Sequence, residues 1–323
     1  MSRYSRNTVI VAKVEGTYAT DSTPTGAANA MLVSKPTITP MVSTEQARDV
    51  LVGYLGQKES LVGARYIQCS FDVEFVGGGA AGVRPAWGDL MLACGWAETV
   101  TAATRVDYTP ISTAQQSVTI YWFDDGVKHL IVGARGTMQV KMTIGAIPVM
   151  SFTFSGLYTT PTASANLTPT ITGFKPPQVV NKQNSLDLTF GATHALVSAP
   201  ALVGGTIYPS QGLEFDLGNT VSHVPLLSTE TVEITQRAAT GKLQLDLTAA
   251  NENTFMGTVE AATLQTVGLI HGTVTGNKCL LWLPSAQLIN PTKVDVNGKR
   301  LIGFDVRAVP TAGNDEARIV TCF

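Results

Sequence analysis

The chain has 323 residues, 44% of them apolar and only 14% charged, with 22 basic and 24 acidic side chains for a formal charge of −2. That length fits two domains. The balanced charge, without any Lys/Arg run, excludes tight nucleic-acid binding through phosphate neutralisation, and no apolar stretch of ~18 residues offers a membrane helix. So few charges for so much apolar residue is a composition that hints at self-assembly.

In chain order, "MSRYSRNTVIVAKVEG" (1–16) turns charged before any apolar core of signal length, so export by that route is not expected. The stretch 39–63 has no clean period, yet Val50, Leu51, Tyr54, Leu55 and Leu61 make it too apolar for disorder. It is expected to pack on something, a neighbouring subunit being the candidate. "YIQCSFDVEF" (66–75) alternates strictly, with Ile67, Cys69, Phe71, Val73 and Phe75 on one side, which predicts a half-buried antiparallel strand.

"GGGAAG" (77–82) matches GxGxxG, but a helix opening at Pro85 starts too late to aim its amides at a pyrophosphate, and hairpins follow instead of a crossover. A Gly/Ala connection is the expectation, and no cofactor. "PAWGDLMLACGW" (85–96) reads as a short helix ended by Gly95. "SVTIYWFDDGVKHLIVG" (117–133) reads as a hairpin turning at Asp125-Gly126. "MTIGAIPVMSFTF" (142–154) reads as another, turning at Gly145-Ala146.

A Thr/Pro-rich join, 159–177, reads as an extended linker. Beyond it the order strand, helix, hairpin, hairpin returns. "GKLQLDLTA" (241–249) alternates, "NENTFMGTVEAATL" (251–264) is helical, and "GTVTGNKCLLWL" (272–283) turns at Gly276-Asn277. "VDVNGKRLIGFDV" (294–306) repeats 142–154 at an offset of 152, aligning Met142 with Val294, Val149 with Leu301 and Phe152 with Phe304, with Asn297-Gly298 in place of the Gly145-Ala146 turn. The expected organisation is an all-β fold with minor α content: domain 1 at 1–160, a linker at 161–175, and domain 2 at 176–323 as an internal duplication.

Nothing in the chain asks for catalysis. Asp124-Asp125 sits on a tight turn, where Asp serves the backbone. His129, His194, His223 and His271 show no ligand spacing, no GxSxG elbow is present, and Cys69, Cys94, Cys279 and Cys322 read as buried free thiols. On the polar strand faces, Asp72, Glu74, Asp246, Asp295 and Asp305 are mixed with Lys141, Lys242, Lys293 and Arg307. Such a face is either an ordinary solvated surface or the lining of a water-filled lumen past which a polyanion slides.

"EGTYATDSTPTGAANAMLV" (15–33), "RPAWGDLMLACGWAETV" (84–100), "VGARGTMQVKMTIGAIPVMSFTFSGLYTTP" (132–161) and "LEFDLGNTV" (213–221) occur in an order that resembles the major tail tube proteins of long-tailed, non-contractile bacteriophages. The resemblance implies tandem β-sandwich domains, each with one short helix, whose sheets join into a closed ring barrel. It implies no enzyme and no metal. It implies a virion protein, assembled in the host bacterial cytoplasm, that stacks into the conduit for DNA ejection. Its partners are itself, the tape-measure, terminator and distal tail proteins, and DNA that passes without specific binding. Asp72, Glu74, Asp246, Asp295 and Asp305 are then lumen-facing candidates, and Glu45, Arg48, Asp49, Leu51, Tyr54 and Leu55 candidates for contacts between subunits and rings.

Four strands from each of six domains, spaced ~4.8 Å and tilted ~40°, would close at a backbone diameter of roughly 45–50 Å. Three duplicated chains supply six domains, so a pseudo-sixfold trimer is favoured over a homohexamer with a decorating second domain. A carbohydrate-binding β-sandwich module is the reading from another class.

Overall fold

The structure, a computed structural model, describes residues 3–186, 188–195 and 200–323. Its first half comprises β1 (Thr8–Val14), α1 (Gly26–Asn29), β2 (Ala30–Met31), β3 (Ser34–Ala47), β4 (Ser60–Glu74), α2 (Gly88–Ala93), β5 (Trp96–Thr101), β6 (Arg105–Pro110), β7 (Val118–Asp124), β8 (Val127–Thr143), β9 (Val149–Leu157) and β10 (Thr162–Ala163). The second comprises β11 (Leu188–Phe190), β12 (Thr193–Ala195), β13 (Ala201–Val203), β14 (Thr206–Tyr208), β15 (Ser210–Asp216), β16 (Asn219–Pro225), β17 (Glu230–Arg237), β18 (Thr240–Leu245), α3 (Ala249–Glu260), β19 (Leu264–His271), β20 (Cys279–Val296), β21 (Lys299–Ala308) and β22 (Arg318–Thr321).

The pairings repeat in chain order. In the first half β2–β1–β7 leads into β8, and β8 continues through β9 and β4 to β3. In the second, β14–β11–β19 leads into β20, and β20 continues through β21 and β18 to β15. The helices α2 and α3 fall at the same point of the two orders. Each half folds one long strand, β8 or β20, between two layers. Gly133 (φ +62°) marks where β8 turns from one layer to the other, since a side chain there would strike the Tyr18 ring at 2.9 Å.

Alternation supplies the core. Phe71 and Val73 of β4, Met138 and Val140 of β8, and Phe152 and Phe154 of β9 are all buried. Phe152 stacks on Phe154 at 5.8 Å, and Phe71 touches both rings. Leu243, Leu245, Ile302 and Phe304 do the same in the second half, and a single apolar core runs through both. On α3 only Phe255 is buried; its ring meets Phe190, Tyr208 and Phe304. The four cysteines are free and buried, and burial pushes the Cys69 thiol up to about 12.

"GGGAAG" is a backbone crossing between the halves. Gly77 donates to Asn277 O at 3.3 Å and Gly79 to Gly276 O at 3.1 Å, and a Cβ on Gly77 would lie 2.3 Å from Gly276 O. The glycines there allow two main chains to touch.

Several sequence expectations shift. Asp125-Gly126 forms the two-residue turn between β7 and β8, and Asn297-Gly298 (φ +53° and +81°) that between β20 and β21. At 142–154, however, the connection spans 144–148. Gly145 N–H donates to Val180 O and Val180 N–H to Ala146 O, so the start of the second half, just past the linker, holds that loop open. The hairpin expected within 272–283 takes its first arm from β19, because pairing stops at His271–Cys279 and 272–278 turns aside to meet 77–82.

The 152-residue match also slips by one inside the strand. Arg135 pairs with Ser155 and Gln287 with Arg307, in step, but Lys141 pairs with Val149 while Val294 pairs with Leu301. A bulge at Asn290 (φ +51°) and Pro291 inserts the extra residue.

Stretch 39–63 is no irregular loop at its base. Residues through Ala47 and from Ser60 extend the β3–β4 hairpin beyond the sandwich. Two register shifts, between Thr39 and Val42 and between Ser43 and Glu45, and the lack of any core beneath it hide the period.

Candidate assembly surfaces

The decisive pairing joins the halves. Antiparallel β15 and β8 meet with Leu213 opposite Met142, Glu214 opposite Lys141, Phe215 opposite Val140 and Asp216 opposite Gln139. One sheet therefore runs without interruption as β3–β4–β9–β8–β15–β18–β21–β20. The sheet of one chain is open. Among the described residues β3 pairs only with β4, and positions 292–296 of β20 pair only with β21.

One face of this sheet is the core and the other is polar. Across the polar face, one row of directly opposed residues reads Glu74, Val149, Lys141, Glu214, Lys242, Asp305. The next reads Asp72, Ser151, Gln139, Asp216, Thr240, Arg307. Opposite charges face each other across strands, so repulsion is avoided while the surface stays hydrated. Gln139, Glu214, Asp216, Lys242, Asp305 and Arg307 line a shallow hollow of about 470 Å³ on this face. Desolvation raises the Glu74 carboxyl above its ordinary value.

Three of the five sequence-predicted carboxylates, Asp72, Glu74 and Asp305, thus share the polar face. Asp246, just past β18, pairs with Lys299. Asp295 does not join them. The bulge at 290–291 reverses the alternation, so Lys293 reaches Glu252 on α3 at 3.0 Å, on the helix side, and Asp295 accepts the Gly298 N–H of its own turn. A grouping of Asp295 and Lys293 with Asp305 by simple parity is corrected by that bulge.

The predicted contact residues gather on the projecting arm. Glu45 accepts from Ser60 Oγ at 2.9 Å, Arg48 pairs with Glu59, and Lys58 sits over the Tyr54 ring. Beyond them Asp49, Leu51, Tyr54 and Leu55 stand in solvent, Leu51 and Leu55 as exposed as in an extended chain.

A second hairpin, unremarked in the sequence, answers the arm. β16–β17 interrupts the path from β15 to β18 as the arm interrupts that from β3 to β4, and it lies across the first half. Val232 is buried there, with its N–H on Tyr18 Oη at 2.6 Å; Arg135 donates to Val232 O and Glu233 while stacking on Tyr18; Asn219 donates to Cys94 O and Gly136 O. Its tip, Leu226-Leu227, is exposed. The alternation of Leu213, Glu214, Phe215 and Asp216 was the signal for β15; nothing in the sequence says where the β16–β17 hairpin docks.

The four tryptophans, Trp87, Trp96, Trp122 and Trp282, are all buried, so none forms a platform for a sugar ring. No curated protein matches the chain. A family model described as "Phage tail tube protein" matches residues 5–313, nearly the whole length. The chain belongs to the phage tail tube protein family. A tail tube protein is a structural component of the virion tail that associates with itself and with other tail proteins. The largely β architecture agrees with that membership, and no helix among the described residues is long and apolar enough to cross a membrane.

Proposed function

We propose that three copies of this tail tube protein close into a pseudo-sixfold ring, that the rings stack into the tail tube, and that both halves of the internally duplicated chain line the lumen through which DNA leaves the particle. The observation that carries this reading is the unbroken sheet through β8–β15. It makes the two halves neighbours in one wall, each contributing four strands, and leaves one open edge at either end of the chain.

Twenty-four strands from three copies give a backbone diameter of roughly 45 Å, and a lumen wide enough for a duplex. A decorating second half would have no reason to continue the first half's sheet with its polar face in register. The mixed, weakly charged polar face suits passage, because a basic wall would bind DNA by releasing its counterions.

The arm (48–59 and its stem) takes the inter-subunit role. Its counterpart β16–β17 lies on the first half of the same chain, and by the same placement the arm lies on the second half of the adjacent copy. The exposed tip, with Leu51, Tyr54 and Leu55, reaches the next ring. Electron microscopy of the assembled protein tests the whole: threefold tubes with both halves in the inner wall are expected. A reconstruction with 176–323 wholly outside the wall would overturn it.

A further inference from the structure

We infer that the joint inside the chain is also the joint between chains: residues 37–39 of β3 pair antiparallel with residues 292–294 of β20 in the next copy, Thr39 opposite Thr292. This rests on the threefold reading above and fixes its seam to the residue.

The assignment follows from ladder equivalence. β3 holds in the first half the place that β15 holds in the second, outermost beside β4 or β18. The row Thr39–Gln68–Ser155 matches the row Asp216–Thr240–Arg307, since Ser155 and Arg307 are equivalent across the repeat. On the other side, Gln139 pairs with Ser151, and Thr292 pairs with Gly303, the residue equivalent to Ser151. Asp216 meets Gln139 inside the chain. Thr39 therefore meets Thr292 of the next copy, and the direction is antiparallel as in the template.

The register then predicts the barrel. Following a row from Asp216 across the joint leads to Gln139, Ser151, Asp72 and Ser34 on β3, whereas the equivalent of Asp216 is Thr39. The slip, read along β4 from Gln68 to Asp72, is four residues for every four strands. One residue of shear per strand, at a rise of ~3.3 Å and a spacing of ~4.8 Å, gives a tilt of about 35°, inside the range at which barrels close. The joint seen in one chain is thus of the kind that closes when repeated, a head-to-tail contact that ends in a ring.

The free edges are also treated differently from the joined ones. Pro36 and Pro40 flank 37–39 on β3, and Pro291 precedes Thr292 on β20, while β8 and the paired part of β15 contain no proline. Proline removes a donor and is confined to edge strands. Here it leaves only a short stretch open on each side, which blunts unspecific edge pairing before the right partner arrives.

The test is a pair of exposed thiols, Thr39→Cys with Thr292→Cys, in tubes formed at high protein concentration and treated with a short bismaleimide. The native cysteines are buried, so they do not compete. Covalent dimers and trimers, with no larger band, are expected; either single variant should stay monomeric on a denaturing gel. Thr39→Cys with Val296→Cys, four residues out of register, should cross-link at least tenfold less. Threefold rings that fail to cross-link, or that favour the Val296 pair, would overturn the register while leaving the trimer standing. Bands extending to six chains, or sixfold rings, would overturn the trimer itself. A chain that stays monomeric and uncross-linked at high concentration counts against both.

Discussion

Gly276 and Gly298 have almost the same backbone angle, φ +83° and +81°, and that coincidence isolates a single energy. An alanine Cβ at Gly298 would meet nothing within 4 Å, whereas at Gly276 it would lie 2.4 Å from Ala80 Cα and 2.5 Å from Ala80 N. The left-handed penalty, about 1 kcal/mol or slightly more, is common to both variants and cancels in their difference. What is left at Gly276 is contact with main chain, which cannot rotate out of the way. Relief requires 77–82 to withdraw, and with it the bonds from Gly77 N–H to Asn277 O and from Gly79 N–H to Gly276 O. Overpacking costs roughly 1–3 kcal/mol, and each such hydrogen bond about 1 kcal/mol. Gly276→Ala should therefore be about 2–4 kcal/mol less stable than Gly298→Ala. Guanidinium unfolding followed by tryptophan fluorescence reads this directly, since all four indoles are buried. Equal midpoints for the two variants would refute the claim that the glycine-rich segment exists to let the halves cross.

Three further outcomes follow from contacts already described. Phe255→Ala removes the one buried side chain of α3 and its three ring contacts, and should cost about 3–4 kcal/mol in denaturant unfolding, with Phe255→Leu costing less than half of that. His271 accepts the Ser185 hydroxyl at Nδ1 and donates from Nε2 to Gln178 O, and burial lowers its pKa below the ordinary 6.5. Its contribution is thus present above about pH 6.5, the unfolded value, and is lost as pH falls through the depressed folded value; His271→Gln should flatten unfolding stability across that window relative to wild type. Lys141→Glu sets two carboxylates opposite each other across β8–β15 and should destabilise by about 0.5–1 kcal/mol; Glu214→Lys in the same chain restores the β8–β15 pair but then opposes Lys242 on β18, so it recovers only part of the loss, and a double-mutant cycle without coupling would refute the pairing.

Much of the fold was legible where alternation was strict. The 66–75 strand and the Asp125-Gly126 and Asn297-Gly298 turns rest on local chemistry that the sequence carries. The misplacements arise where a distant segment intervenes. Val180 opens the 144–148 loop, the 77–82 crossing pulls 272–278 out of its hairpin, and the bulge at Asn290-Pro291 turns Asp295 to the other face. The arm was recognised as too apolar to be idle, but its strand base was hidden because no core lies beneath it to impose a period of two. The β8–β15 joint was the least legible feature. Its strands alternate plainly, yet pairing between segments some 70 residues apart is a property of the folded whole.

That joint also explains the use of a repeat. Each association between separate chains must overcome lost translational and rotational freedom, estimated at about 4–15 kcal/mol. In the proposed threefold ring, linking the halves would make three of the six joints intramolecular, so three chains would overcome that cost fewer times than six. The two kinds of joint can then diverge. The inner one has no need to avoid strangers, and it sets Glu214 between Lys141 and Lys242 on strands free of proline. The outer edges must wait exposed on a free chain, and they carry Pro36, Pro40 and Pro291 with a bulge in each strand. Removing that guard should show its purpose: Pro36→Thr and Pro291→Thr together would lengthen the open edges, and are expected to lower the concentration at which the protein associates while broadening its products from rings to irregular aggregates. Association at unchanged concentration, into unchanged rings, would mean that the prolines are incidental to assembly and that the arm alone decides which edges meet.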